Sequence, residues 1–213
     1  MGNRVCNFIL RLLMLASGPL FLGFSIAAFY WAGLGADPTS VLADGVHVTT
    51  GWSQSNASTA VNMAMLLLLL CVDRKKIGIA TVVCAVFVGP CIGLAQQLLF
   101  FHIPVPGLLA GLIVAALGAV INSLGLGLYL SAGFGSSAFD GLILYLRAKM
   151  GLSYQNALWA FYAVVFVIGV FMGGVWGVGT LVTLLLSGPC FQFFYGRLSA
   201  WASRRFSFPD NQA

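Results

Sequence analysis

Long apolar runs separated by short polar stretches dominate the hydrophobic pattern of the chain. A helix that crosses the hydrocarbon core of a bilayer needs about 20 mostly apolar residues. Six runs approach or exceed that length and predict spans at 12–32, 56–72, 77–100, 107–132, 156–175 and 178–198. Two further helix-like segments, 38–50 and 137–150, are too short to cross, so we expect re-entrant or interfacial helices there.

The composition supports a membrane protein, because 60% of the 213 residues are hydrophobic and only 7% are charged. A soluble domain carries about 25% charged residues. No polar linker divides the chain, so we predict a single membrane domain over 1–213. We interpret the basic-then-apolar start as an uncleaved first span.

The basic residues fall on one side of the six-span topology. They are Arg4, Arg11, Arg74, Lys75, Lys76, Arg147, Lys149, Arg197, Arg204 and Arg205. The opposite loops, 33–55 and 101–106, instead hold Asp37, Asp44, His47 and His102. Because basic residues favour the cytoplasmic side, we predict a multi-pass membrane protein with these residues on the cytoplasmic face. Both termini face the cytoplasm, and 199–213 forms a cytoplasmic tail.

The chain contains an internal repeat at an offset of 100 residues. "AGLGADPTSVLADGV" from Ala32 aligns with "AGFGSSAFDGLILYL" from Ala132, and "TGWSQSNA" aligns with "MGLSYQNA". After a one-residue deletion, "IGIATVV" (77–83) aligns with "WGVGTLV" (176–182). Each repeat, about 12–100 and 107–198, has three spans, so the second must be inverted relative to the first. We therefore predict an all-α polytopic protein of two inverted three-helix repeats, an architecture that recurs in transporters.

The triplet Gly-Pro-Cys occurs twice, at 89–91 and 188–190. Proline removes a backbone donor and normally breaks a helix, and the freed carbonyl needs a partner in hydrocarbon. We expect spans three and six to meet near the bilayer midplane, with Pro90 and Pro189 related by the repeat and Thr81 and Thr180 nearby. Two interpretations stay open: the kinks line a functional cavity, or they only serve packing.

Two Gly-x-Gly turns precede the short segments, and each is followed by an aspartate. Asp37 before Pro38 is typical of a helix cap, although a half-helix start inside the membrane also suits an anion. Asp140 is either a gate residue or a cytoplasmic residue paired with Arg147 or a neighbouring residue. The candidate substrate-binding residues are Gly35, Asp37, Thr81, Pro90, Gly135, Asp140, Thr180 and Pro189.

Motifs for enzymatic or metal chemistry are weak in this sequence. The five cysteines have no CxxC spacing, and His47 and His102 lack ligand spacing. Ser136-Ser137 has no later histidine to activate it, and no Gly-x-x-x-x-Gly-Lys-Ser/Thr motif is present. We expect no enzyme activity, no metal and no cofactor.

At "AGLGADPTSVL", "FDGLILYL" and "GVGTLVTLLLSGP" the sequence resembles the YczE family of bacterial integral membrane proteins, related to YitT-type proteins. The likeness extends from about Leu12 to Leu198, with matches at Gly33, Gly35, Pro38, Asp140, Gly141, Gly179, Thr180, Gly188 and Pro189. It implies an inner-membrane protein with several spans and brings no substrate. The chain departs at Ala138-Phe139, where the family often has Pro-Arg, and it has no glutamate. A charge-coupled mechanism therefore does not carry over.

These patterns favour a small-molecule transporter or exporter of unknown substrate. The alternatives are a substrate-binding or assembly subunit of a larger complex, similar to an energy-coupling-factor system, or a non-transporting membrane scaffold. The expected partners are the lipid bilayer and an unidentified small molecule. We expect no nucleic acid, and a homo-oligomer stays open.

Overall fold

The structure is a computed structural model that describes residues 2–100, 104 and 107–206. Within these ranges the chain is helical and contains no strand, which confirms the all-α prediction. The helices are α1 (Gly2–Ala32), α2 (Pro38–Thr50), α3 (Gln54–Val72), α4 (Ile79–Ala95), α5 (Leu108–Ser131), α6 (Ala138–Met150), α7 (Tyr154–Phe171) and α8 (Val178–Arg205). A 3-10 turn at Arg74–Lys76 precedes α4, and a π turn at Gln96–Phe100 follows it.

Six of the described helices are long and apolar enough to cross a membrane, as predicted: α1, α3, α4, α5, α7 and α8. The short helices α2 and α6 have 13 residues each, a length of about 20 Å against a core of about 30 Å. α1 begins before residue 12, and α8 continues to Arg205 through part of the segment predicted as a tail. The predicted outer loop 101–106, which includes His102, lies outside the described residues except at Pro104.

The short helices end in the same way in both halves of the chain. Gly51 and Gly151 follow α2 and α6 in the left-handed conformation, with φ of 74° and 64°. Glycine adopts this conformation without steric cost, so it terminates a helix readily. Ser53 and Ser153 then cap the next helices, because each hydroxyl accepts a hydrogen bond from the amide three residues later, at 3.2 and 3.3 Å.

The helices form two halves, α1–α4 and α5–α8, joined mainly through α1 and α5. In the first half α4 packs on α1 and α3, and in the second half α8 packs on α5. The short helices cross between halves, because α2 packs on α7 and α6 packs on α3. At one of these crossings a Cβ on Gly169 would lie 2.7 Å from the backbone nitrogen of Leu42, so only glycine permits this approach.

One end of the molecule, termed the basic end, gathers the start of α1, the end of α5, the α3–α4 connection, α6 and the end of α8. Asn7 donates a hydrogen bond to the carbonyl of Arg205 at 3.1 Å. Arg11 donates to the carbonyls of Ala132 at 2.8 Å and Gly133 at 3.1 Å. These bonds bring the predicted cytoplasmic segments to the same end of the helix bundle.

The doubled prolines do not break their helices, contrary to prediction. α4 continues through Pro90 and α8 through Pro189, as α1 does through Pro19. A membrane helix tolerates proline because neighbouring backbone and polar side chains satisfy the freed groups. Beside Pro90, Ser55 on α3 donates to the carbonyl of Gly89 at 2.8 Å, which holds α4 against α3.

Candidate functional site

Each Gly-x-Gly turn binds the start of a helix in the other half of the chain. The carbonyl of Phe134 accepts a hydrogen bond from the amide of Ala80 on α4 at 3.1 Å. The carbonyl of Leu34 accepts one from the amide of Gly179 on α8 at 2.8 Å. Positions 34 and 134 are equivalent in the repeat, as are 80 and 179, so the two bonds occupy matching places.

The predicted threonines lie at these two junctions. The Thr81 hydroxyl donates to the carbonyl of Ser136 at 2.6 Å and accepts from the amide of Gly78 at 2.9 Å. The Thr180 hydroxyl accepts from the amide of Gly177 at 3.3 Å. The structure thus brings Thr81 together with the second turn and Thr180 together with the first.

A large cleft lies beside the second turn at the basic end. We term it the basic-end cleft, and its volume is about 1180 Å³. Its charged lining residues are Lys75, Lys76 and Arg147, and no carboxylate is among the described residues that line it. Apolar walls and Tyr195 of α8 complete it, with Ile79, Leu130, Phe134 and Leu144 among the apolar residues.

A much smaller cavity, of about 50 Å³, lies beside the first turn at the opposite end. Asp44 of α2 lines it and is only 4% exposed. The Asp44 carboxylate accepts hydrogen bonds from the Gln54 side-chain amide at 3.0 Å and from the amide of Val175 at 2.9 Å. Gln54 in turn accepts from the side-chain amide of Gln96 at 2.6 Å. We term Asp44, Gln54 and Gln96 the Asp44 cluster, which joins α2, α3, the end of α4 and the loop before α8.

The small cavity and the basic-end cleft occupy equivalent places in the two repeats. Six lining positions correspond, namely Tyr30 and Leu130, Gly33 and Gly133, Gly35 and Gly135, Ala36 and Ser136, Asp44 and Leu144, and Val175 and Lys76. Gln96 of the cluster corresponds to Tyr195 of the cleft. One sequence arrangement therefore forms a small cavity at one end and a much larger cleft at the other.

The two predicted aspartates have different local roles. Asp37 is the N-cap of α2, as its cap interpretation predicts, and accepts from the amides of Thr39 at 3.2 Å and Ser40 at 3.4 Å. Asp140 accepts from the hydroxyls of Tyr129 at 2.9 Å and Ser137 at 2.8 Å. These hydroxyls, and not the alternative partner Arg147, are its described hydrogen-bond donors.

The expected meeting of spans three and six is wrong for the described chain. α4 and α8 do not pack on each other there, because α4 packs on α1 and α3 while α8 packs on α5. Pro90 and Pro189 are both exposed, and neither lines the cleft or the small cavity. A Cβ on Gly188 would meet nothing within 4 Å. Close approach of the two Gly-Pro-Cys triplets is therefore absent.

Sequence reasoning missed the Asp44 cluster and the cations of the basic-end cleft. The sequence predicts Asp44 on the outer side, within the short helix 38–50, but not its burial or its bonds to Gln54 and Val175. Gln96 links two helices, as expected for a membrane glutamine, but Asn62 only bonds the carbonyl of Ser58 in its own helix. The repeat contains a signal that relates the two sites, because lining positions of the small cavity and of the basic-end cleft are related by offsets of 100 and 99 residues.

Comparison with known proteins identifies relatives along most of the chain. An uncharacterized protein of Haemophilus influenzae is 27% identical over 81% of this chain and 78% of its own length. The uncharacterized protein YyaS of Bacillus subtilis is 28% identical over 83% of this chain and 88% of its own length. The uncharacterized membrane protein YczE of Bacillus subtilis is 32% identical over 44% of this chain and 45% of its own. No solved structure matches.

The comparisons confirm the resemblance to YczE. They also support an integral membrane protein, in agreement with the six apolar helices. The model of a family described as a family of unknown function, DUF6198, matches residues 9–196. The protein is therefore a member of the DUF6198 family.

Proposed function

We propose that the protein is a small-molecule transporter of the bacterial cytoplasmic membrane, built from two inverted repeats that work by alternating access. The observation that carries this proposal is the pair of equivalent cavities, one of about 1180 Å³ and one of about 50 Å³. In such transporters the two repeats exchange conformations around a central site, so that one side is open while the other is closed. The difference in volume between the two cavities matches one of those two states, the one in which the basic end is open.

Matching contacts in the two halves support the inverted repeat. The bond from Gly179 to Leu34 has its equivalent in the bond from Ala80 to Phe134. Likewise, a Cβ on Gly169 would touch α2 near Val41, and a Cβ on Gly141 would touch Leu69 of α3. Each pair differs by the repeat offset. Each of these contacts joins one half to the other, so the two repeats pack against each other through equivalent residues.

The Asp44 cluster supports a closed state at the end opposite to the basic end. It ties α3 to α4, and these helices also pack closely where Ser55 meets Gly89. In the described part of the second half, α7 and α8 do not pack in this way. Tyr154 and Tyr195 occupy the positions equivalent to Gln54 and Gln96. We infer that these tyrosines approach each other when the basic-end cleft closes.

Cysteine pairs test this exchange in a background in which the five native cysteines are replaced. We expect a Gln54→Cys/Gln96→Cys pair to cross-link in one state and a Tyr154→Cys/Tyr195→Cys pair in the other, because only one end is closed at a time. Locking the first pair should abolish cross-linking of the second. A Ser123→Cys/Ser187→Cys pair serves as control, since Ser123 donates to the Ser187 carbonyl at 3.2 Å within one half. Efficient formation of both end cross-links in one molecule would contradict alternating access.

The topology of the proposed transporter has its own test. We expect reporter fusions at Lys75 and Gly51 to give opposite signals, with Lys75 cytoplasmic, because basic residues cluster at one end of the described bundle and favour the cytoplasm. Alkaline phosphatase activity would report the outer position, and green fluorescent protein would report the inner one. The same signal at both positions would refute the six-span orientation.

The alternative of a subunit within a larger complex also has an observation in its favour. α7 and α8 are the least buried of the described spans, with 17% of an 18-residue apolar stretch buried in each, against 56% in α1. Phe171 and Leu185 are 88% and 75% exposed. Lipid or a partner helix covers such a surface in the membrane. Co-purification of a stable ATPase with the protein would favour the subunit over an independent transporter.

A further inference from the structure

We propose that the basic-end cleft binds an anionic amphiphile, a molecule with a phosphate or carboxylate headgroup and an apolar tail, taken from the adjacent bilayer leaflet. This inference rests on the proposed transport function and names its substrate class. Three features carry it: the charge of the lining, the apolar walls, and the missing helix–helix contact at the side of the cleft.

The charge of the lining favours an anion. Lys75, Lys76 and Arg147 line the cleft, and no carboxylate does so among the described residues. Asp73 pairs with Lys76 at 3.9 Å, but both side chains are partly exposed, so this pair neutralises the lysine only weakly. An arginine guanidinium binds phosphate or carboxylate through two parallel hydrogen bonds. The cleft therefore presents cations where a headgroup of the cytoplasmic leaflet lies in the proposed topology.

The walls of the cleft favour an apolar tail attached to that anion. Ile79 at the start of α4 lines the cleft and is 58% exposed. Leu130, Leu144 and Leu152 add further apolar surface, and Tyr195 adds an aromatic ring. A hydrophilic anion gains nothing from such walls, whereas burying an alkyl chain gains about 0.8 kcal/mol per CH₂ group. The lining thus matches a molecule with both parts.

The side of the cleft provides a route from the bilayer. α6 packs on α7, while α8 packs on α5, and α7 and α8 do not pack extensively on each other in the described chain. In the first half the equivalent helices α3 and α4 are packed together. We infer a gap here, between α6 and α8, whose Leu144 and Tyr195 line the cleft, and place it toward the surrounding lipid. A membrane amphiphile reaches the cations through this gap without leaving the bilayer.

The test measures binding to the purified full-length protein by native mass spectrometry. The probes are phosphatidylglycerol, phosphatidylcholine with the same acyl chains, and glycerol 3-phosphate. We expect phosphatidylglycerol to bind at least about tenfold more tightly than phosphatidylcholine, since each basic residue near an anionic headgroup contributes attraction. The double variant Lys76→Gln/Arg147→Gln should lose about thirtyfold in phosphatidylglycerol affinity. The matched control Lys149→Gln/Arg197→Gln removes the same charge at the same end outside the cleft and should change affinity little.

Several results would overturn the proposal. Equal affinity for the two lipids, or equal losses in cleft and control variants, would mean that the basic end attracts anionic lipid without a site. Tight binding of glycerol 3-phosphate would mean that the ligand is a hydrophilic anion. Arg147→Gln alone, at an exposed position, provides the measurement if the double variant does not fold. Binding requires no turnover, so its failure leaves the cross-linking test of alternating access unaffected, and the reverse also holds.

Discussion

Replacing Asp44 with alanine is expected to open the small cavity and to lower the free energy of unfolding by about 2–5 kcal/mol. The carboxylate accepts from Gln54 and from the amide of Val175, and it is almost fully buried. Alanine leaves both donors without this acceptor; the two hydrogen bonds are part-buried, and an unsatisfied group in such a place costs about 1–3 kcal/mol. The same loss releases α2 from α3 and from the loop before α8.

Two measurements follow this change. Unfolding in a denaturing detergent reports stability. Labelling of an Ala36→Cys variant by a membrane-impermeant maleimide reports opening, because Ala36 lines the small cavity and is 2% exposed. We expect Asp44→Ala to raise the labelling rate about tenfold or more, which a shift of only about 1.4 kcal/mol in the opening equilibrium produces.

A neighbouring pair of glutamines provides the matched control for this prediction. Gln96 donates to Gln54 within the cluster, whereas the adjacent Gln97 is exposed. Gln96→Leu should raise labelling of position 36 in the same direction as Asp44→Ala, and Gln97→Leu should not. Unchanged labelling and unchanged unfolding in Asp44→Ala would mean that the cluster does not hold this end closed.

The helical content and the number of spans followed from composition and run length alone. An apolar run of sufficient length has no stable alternative to a helix in hydrocarbon, because every backbone group must be paired. The caps also followed from local chemistry, since Asp37 before Pro38 forms the predicted N-cap. Such features depend on a few neighbouring residues, so a single sequence contains the information that fixes them.

The position of the candidate site did not follow from the sequence, because it depends on which helix faces pack together. Pro90 and Pro189 stood out as chemically unusual, yet both lie on exposed faces. Asp44 lies in the predicted short helix, yet its burial beside Gln54 depends on how α2 packs and does not follow from the sequence. The offset of the repeat predicts which positions are equivalent but not which end is open. That asymmetry arises from helix packing between α3 and α4 that α7 and α8 lack in the described chain.

The Gly-x-Gly turns connect this asymmetry to the repeat. The turn at 133–135 contacts the start of α4, and the turn at 33–35 contacts the start of α8. In the proposed alternating-access cycle, displacement of one half against the other would act on these junctions. An added Cβ on Gly135 would lie 3.0 Å from the Cα of Gly78, and one on Gly35 would meet the Thr180 hydroxyl and lie 2.7 Å from the amide nitrogen of Gly177. The close backbone approach at both turns would suit a pivot in the proposed alternating-access cycle.

Gly35→Ala is expected to destabilise the protein by at least about 3 kcal/mol and to prevent the junction with α8. The residue has φ of +96°, which strains any side chain, and its added Cβ would lie 2.7 Å from the amide nitrogen of Gly177. Gly33→Ala is the control two residues away, with φ of +63° and nothing within 4 Å of the added Cβ. Gly33→Ala should lower the free energy of unfolding by only about 1–2 kcal/mol, the cost of a side chain in the left-handed backbone conformation. Unfolding in denaturing detergent should separate the two variants clearly, and equal losses would mean that the close approach to α8 does not hold the first turn in place.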